Sequence, residues 1–223
     1  MQPLHFRKGH LFVEIDHALW LLDTGAPSSF GSAPEITLSG ETFSLPDSFM
    51  DLTAATLSGF VAVECSGIIG ADIMGCFDFV FDPEKGKVEI SAEELEVSGQ
   101  QLPVVDDVMG IPIVSATVAG DECLLFFDTG AQISFLQHDA LTDSPPAGEF
   151  TDFHPSCGQF QTDTYHVDIA VAGIDFTLRC GHLPELLEAT LLAIGQNITG
   201  ILGNEIMTNR RIGYFPRRQV LVL

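Results

Sequence analysis

The sequence predicts an all-β fold built from two similar halves, and three observations carry that prediction. Most apolar segments are short or alternating and are broken by Gly, Pro, Asp and Ser, as at Leu11 to Ile15, Ile111 to Val118, Val167 to Val171 and Val220 to Leu223. Helix is expected only in short pieces, at Asp72 to Gly75, Pro184 to Ala193 and Glu205 to Asn209. Two blocks of sequence occur twice.

The first block, Leu21-Leu22-Asp23-Thr24-Gly25-Ala26 with Ser29-Phe30, recurs as Phe126-Phe127-Asp128-Thr129-Gly130-Ala131 with Ser134-Phe135, an offset of 105 from residue 23 to residue 128. The second, Ile68-Ile69-Gly70-Ala71-Asp72-Ile73-Met74, recurs as Ile201-Leu202-Gly203-Asn204-Glu205-Ile206-Met207, an offset of 133 from residue 70 to residue 203. The larger offset holds on both sides of that block. Gly40, Phe43 and Leu45 match Gly173, Phe176 and Leu178, while Phe81, Pro83, Val88 and Ile90 match Tyr214, Pro216, Leu221 and Leu223. The 28-residue difference between the offsets places an insertion in the second half, at about Leu136 to Tyr165. The halves are read as 1–98 and 99–223, joined through the Gly-, Gln- and acid-rich segment Ser91 to Gly110.

Composition narrows the function classes. At 223 residues the chain has room for one large domain or two units, and 46% hydrophobic against 18% charged residues excludes a disordered chain. A formal charge of −22 repels a phosphate backbone, so no nucleic-acid partner is expected. The one basic patch, Arg210, Arg211, Arg217 and Arg218, reads as solvated surface. High acid content suits work at acidic pH, where self-repulsion fades as carboxylates protonate.

Five cysteines, an odd number without a Cys-x-x-Cys pair, read as free thiols in a reducing compartment. No run of 18 apolar residues and no signal-peptide pattern is present, so a cytoplasmic protein without a membrane partner is expected. Asn197-Ile198-Thr199 then matches a glycosylation sequon by coincidence. The first strand lies so near residue 1 that no propeptide is expected.

The repeated turn carries the chemistry. Two apolar residues entering Asp-Thr-Gly describe a buried strand ending in a tight turn, where glycine permits a close backbone approach. One such turn is an ordinary turn signal. Two at equivalent points of a repeat related by a pseudo-twofold bring Asp23 and Asp128 face to face. Neighbouring carboxylates titrate in two separated steps and share one proton between them. One then acts as base towards a water while the other donates a proton, the arrangement that hydrolysis of an amide requires.

These paired motifs resemble the retropepsin and pepsin clan of aspartic peptidases, over nearly the whole chain. The resemblance implies a bilobal acid-protease fold of two retropepsin-like lobes with a cleft between them. It implies hydrolysis of a peptide or protein substrate with no cofactor, by a chain that is monomeric because both lobes are fused. By this resemblance Asp23 and Asp128 are catalytic, Thr24 and Thr129 interlock the turns, and Gly25 and Gly130 line the substrate strand. Gly70 and Gly203 belong to strands crossing behind the turns. Ala26 and Ala131 follow the glycines as in many retroviral-type enzymes. The chain departs from retropepsins where Ala71-Asp72 and Asn204-Glu205 stand in place of an Arg.

Clan members cover substrate with a β-hairpin flap between the catalytic turn and the later Gly motif. The insertion supplies one in the second half only, at about residues 150–166, with Cys157-Gly158-Gln159-Phe160 as its tip and Gly158 as hinge or turn. The Asp23 half is expected to be bare. The chain ends of retropepsins pair into an interlobe sheet, for which Leu4 to Phe6, Val88 to Ile90, Leu102 to Val105 and Val220 to Leu223 are suitable strands.

The seven histidines, His138 among them, show no ligand spacing, and no metal is expected. Trp20 reads as core, and no Gly-x-Ser-x-Gly elbow, Walker loop or dinucleotide fingerprint is present. Two other readings stay open: a peptide-binding module that keeps the fold without turnover, and a glycosidase using the two acids.

Overall fold

The structure, a computed structural model, describes residues 1–137, 140–195 and 197–223, and it is predominantly β; His138 lies outside the described residues. The first half opens with β1 (Gln2–Arg7), β2 (His10–Ile15) and β3 (Ala18–Leu22) as consecutive hairpins. Short strands follow: β4 (Phe30–Gly31), β5 (Glu35–Leu38), β6 (Glu41–Ser44), β7 (Ser48–Phe49) and β8 (Leu52–Thr53). Then come α1 (Ala54–Val61), β9 (Gly67–Ile69), α2 (Ala71–Met74), β10 (Asp78–Asp82) and β11 (Lys87–Ser91).

The second half begins the same way, with hairpins β12 (Gln101–Val108), β13 (Ile111–Val118) and β14 (Asp121–Phe127). It continues with β15 (Ser134–Leu136), α3 (Ala140–Asp143), β16 (Pro146–His154), β17 (Gly158–Val171) and β18 (Ile174–Gly181). It ends with α4 (Glu185–Ile194), β19 (Ile198–Leu202), β20 (Ile212–Phe215) and β21 (Val220–Val222).

The halves share their turn chemistry. Lys8-Gly9 and Asp16-His17 in the first, and Met109-Gly110 and Ala119-Gly120 in the second, each place two successive residues at positive φ. That geometry matches the twist of tightly connected antiparallel strands. Ser39-Gly40 and Ala172-Gly173 do the same between β5 and β6 and between β17 and β18. In each half the strand entering the Asp-Thr-Gly turn runs parallel to the strand of the later Gly motif: β3 beside β9, and β14 beside β19.

The halves differ in closure. In the second, β13, β14, β19, β15, β18 and β17 pair in sequence and β17 returns to β13, so the ladder closes on itself. In the first, β5 and β6 form a separate two-stranded hairpin and, among the described residues, the ladder stays open.

A six-stranded antiparallel sheet joins the two, in the order β1, β11, β10, β20, β21, β12. Its centre pairs Val80 with Gly213, flanked by Phe79 with Tyr214 and Phe81 with Ile212. The terminal strands enter it earlier than expected. Gln2 and Pro3 pair with β11, whereas Leu4 to Arg7 have already turned to β2; likewise Gln101 to Pro103 pair with β21, and from Val104 the strand turns to β13, with a bulge between Val104 and Asp106. Pro3 and Pro103 occupy these crossover points, where the missing N–H removes a ladder bond. One apolar core runs through both halves and includes Leu22, Phe79, Phe127 and Tyr214; Trp20 is buried in it.

Two sequence expectations need correction. Arg217 and Arg218 are not merely solvated surface, because both guanidiniums pair with the carboxylate of Asp78, whose side chain is fully buried. They also donate to the carbonyls of Ala92, Glu93 and Leu95, fastening the connection between halves. A carboxylate is tolerated in an apolar interior only when paired, which is what draws the arginines inward. Arg210 lies 4.9 Å from the ring centre of Phe176.

The second correction concerns helices. The expected pieces at 72–75, 184–193 and 205–209 correspond to α2, α4 and a 3-10 turn at Asn204–Met207, but α1 and α3 were not anticipated. α1 is capped by Thr53, whose side chain accepts from the Thr56 N–H while the Thr56 hydroxyl accepts from the Thr53 N–H. It ends at Ala62 in the left-handed conformation. α4 ends likewise at Gly195, 133 residues on, so the two helices hold equivalent places before β9 and β19. Among the described residues no helix is long and apolar enough to cross a membrane.

Candidate active site

Asp23 and Asp128 are held at the C-terminal ends of β3 and β14. The Asp23 N–H donates to Ile69 O (3.1 Å) and the Asp128 N–H to Leu202 O (3.0 Å), continuing the parallel ladders by one residue. Within each turn one carboxylate oxygen accepts two backbone N–H groups. Asp23 Oδ1 takes those of Gly25 (3.0 Å) and Ala26 (2.9 Å); Asp128 Oδ1 takes those of Gly130 (2.8 Å) and Ala131 (3.2 Å).

The turns are tied by threonines that are both fully buried. The Thr24 N–H donates to Thr129 Oγ1 (3.0 Å), and the Thr129 N–H to Thr24 Oγ1 (2.9 Å). Each hydroxyl then donates across to the other half, Thr24 to Phe127 O (2.7 Å) and Thr129 to Leu22 O (2.8 Å). Four buried hydrogen bonds thus satisfy six polar groups in one reciprocal exchange, which fixes the separation of the turns. Gly25 and Gly130 are required by that proximity, since a Cβ on either would collide with the carboxyl of the opposite turn.

Gly70 and Gly203 stand behind the turns and donate to Ser29 Oγ (2.8 Å) and Ser134 Oγ (3.1 Å). The acids that follow them act as backbone acceptors. Asp72 accepts from the Ser29 N–H (2.9 Å) and hydroxyl (2.5 Å), and Glu205 from the Arg179 N–H (2.7 Å). A carboxylate, not an arginine, is what these positions need.

Contacts missed in the sequence make the second turn different from the first. His10, buried at the start of β2, faces Gly130 O with Nδ1 (3.0 Å) and Gln132 Nε2 with its own Nε2 (2.9 Å). A carbonyl only accepts, so Nδ1 carries the proton and Nε2 accepts from the amide. Burial keeps the imidazole below its ordinary value and therefore neutral, against the pull of Asp128. Asn204 Nδ2 donates to Thr129 O (3.0 Å) and to Gly9 O (2.9 Å).

Asp23 is held well above the usual carboxylate range, first by burial and then by the charge and hydrogen bond of Asp128; the N–H groups of Ala26 and Gly25 oppose this and lose. Both side chains keep one edge open to a cavity of about 340 Å³. Its floor is the paired turns. One wall is apolar through Phe30, Leu57 and Ile68, the other through Phe135, Leu187 and Ile201. A smaller cavity of about 160 Å³ beside Ala71 and Tyr214 contains neither carboxylate.

The inserted segment holds α3, β16 and the start of β17, and the β16–β17 hairpin roofs the larger cavity. Its turn spans residues 154–158, with the Cys157 N–H donating to His154 O (3.2 Å) and Gly158 at φ 71°. Cys157 therefore lies in the turn and Gly158 closes it as the first residue of β17, while Gln159 and Phe160, expected at the tip, lie further along β17 and line the cavity. Cys157 is half-buried, and all five cysteines are free thiols.

The hairpin touches both walls. Phe160 packs on Phe135 (ring centres 5.9 Å apart), and Phe153 stacks on Phe60 of α1 (3.6 Å, 10° between planes). The Asp23 side is thus not bare: α1 and residues Phe49 and Met50 cover it. Asp152 and His154 also face the cavity. Burial and the charge of Asp128 push the Asp152 carboxyl up to about 6, although the Phe153 N–H opposes this. Burial lowers His154, with Asp128 pulling the other way. Among the described residues no group of three or more His, Cys, Asp or Glu side chains could hold a metal ion. No protein-family model and no curated protein matches this chain.

Proposed function

We propose that the chain is an aspartic endopeptidase with an internally duplicated, two-lobed acid-protease fold. The observation that carries the reading is the reciprocal Thr24–Thr129 exchange, which sets the turns of Asp23 and Asp128 against each other on the floor of a cavity of about 340 Å³. A structural pair of buried acids would need cations or only donors around it; this pair faces open space, and the raised Asp23 carboxyl supports one shared proton.

In the mechanism, a water held between the carboxylates loses a proton to the ionised one as its oxygen attacks the scissile carbonyl. The protonated partner donates to the carbonyl oxygen, so the tetrahedral intermediate forms without free charge. The proton taken from water then passes to the leaving amine as the C–N bond breaks, while a hydroxyl of the intermediate returns its proton to the carboxylate that had donated one, which restores the single shared proton. The Gly and Ala N–H groups on each Oδ1 keep the carboxylates oriented through both steps. The hairpin excludes bulk water and presses the peptide against the floor.

Incubating the protein with a diverse peptide library tests this. Wild type is expected to cut internal bonds between pH 4 and 7, and Asp23→Asn or Asp128→Asn to lose about 10²–10⁴-fold in rate. Binding without any cleavage by the wild type overturns the reading in favour of a peptide-binding module.

A further inference from the structure

The roof of the cavity carries a carboxylate that the dyad chemistry does not use. Asp152 sits on β16 between the two aromatic anchors of the hairpin, Phe153 on Phe60 and Phe160 on Phe135, so its place above the turns is fixed from both walls. Its one hydrogen bond among the described residues is local, Oδ1 accepting from the next residue's N–H (2.8 Å). Among the described residues no Lys or Arg lines the cavity.

The charged or titratable groups that face Asp152 are Asp128 and Asp23 from the floor, His10 behind them, and His154 and Cys157 from the hairpin. Both histidines are kept towards their neutral form by burial. The cavity therefore presents apolar walls and an unbalanced negative roof. A carboxylate held near apolar walls without a cation is unfavourable, and a ligand that brings the cation relieves it.

We propose that Asp152 is a specificity-determining residue of this site, selecting substrates with a basic side chain, Lys or Arg, beside the bond to be cut. The proposal rests on the peptidase reading given above. A neutral side chain of similar length leaves Asp152 desolvated and unpaired, whereas an ammonium or guanidinium pairs with it, so discrimination comes from the penalty on the wrong substrate as well as from the bond to the right one. The elevated carboxyl adds a pH signature: selection strengthens as pH rises through about 6, where Asp152 ionises.

The test compares matched peptides carrying Lys, norleucine or Glu at each position flanking the scissile bond, each with a free or an acetylated N-terminus. The readout is the ratio of kcat/KM for Lys to that for norleucine, taken within each variant. In the wild type this ratio is expected to be about 10–100 above pH 6 and to shrink below it, with Glu the poorest. Asp152→Asn is expected to bring it near one at every pH, while His154→Gln retains both the preference and its pH dependence.

A ratio that Asp152→Asn leaves unchanged overturns the proposal. So does a preference that follows the free N-terminus and not the side chain. If no peptide is cut, the peptidase reading fails separately. Affinities of the same peptides for wild type and Asp152→Asn then decide the role of Asp152, equal Lys affinities refuting it.

Discussion

The two halves place the same turn in different surroundings. The Asp23 half offers, among the described residues, an open ladder, a detached hairpin of two four-residue strands and the short helix α1; the Asp128 half offers a closed ring of strands and a roof that reaches back across the cavity. Around the carboxylates, however, nearly every bond in one half has its counterpart in the other. At the paired turns both halves are held to the same geometry. At the cavity walls each half has its own solution. The second half also receives His10 from the first and reaches back with Asn204, contacts that tie its turn to the first hairpin and, among the described residues, have no counterpart at Asp23.

The sharpest way to break this comparison is to attack the symmetric part. Thr24→Val and Thr129→Val each strand a buried N–H and a buried carbonyl of the opposite half, so each is expected to lower stability by about 2–4 kcal/mol, and by similar amounts. Denaturant titration of both variants checks this, and markedly unequal losses would show that the exchange is not shared equally.

The next effect has the opposite sign. Because Asp23 is raised in the folded state, its protonated form is favoured there; the stability it contributes is present below about 4 and is lost as pH rises through its elevated value. Asp23→Asn should therefore melt higher than wild type at neutral pH, by about 2–4 °C for each kcal/mol of repulsion removed, and lose that advantage in acid. Thermal melts at both ends of the range measure it.

The smallest effect probes the asymmetric part. Phe60→Ala removes the stacking partner of Phe153 and is expected to cost about 1 kcal/mol of hairpin closure, changing kcat/KM by up to about tenfold with little change in melting temperature. Phe153→Ala should match it, and a double variant no worse than either single one identifies the stack itself as the latch.

Much of this was legible before any coordinates. The Asp-Thr-Gly-Ala turns, their spacing and the inserted hairpin follow from aligning the chain with itself, because tight turns and close approaches demand particular residues. α1 was missed for want of an obvious apolar stripe and an acidic capping partner, since Thr56 stands where Glu is common. The signal was nevertheless present: carrying the helix expected at 184–193 back by the repeat offset lands on it. The contacts of His10 with Gly130, of Asn204 with Gly9 and of the arginines with Asp78 join residues 120 or more apart in the chain. No local pattern encodes such pairs. The roof position of Asp152 likewise depends on how far the hairpin leans, which Phe60 and Phe153 decide together.

The central sheet has a consequence for how the chain can be divided. Val80 meets Gly213 with an aromatic or apolar neighbour to either side, a register in which each strand reads its partner much as it would read a copy of itself. A cut in the connection at residues 92–100 leaves two fragments, each with one raw strand edge, β10 or β20. Mixed together they should reassemble through those edges. Kept apart, each is left with one turn of the Asp23–Asp128 pair, and its simplest escape is to pair β10 with β10, or β20 with β20, across the same register.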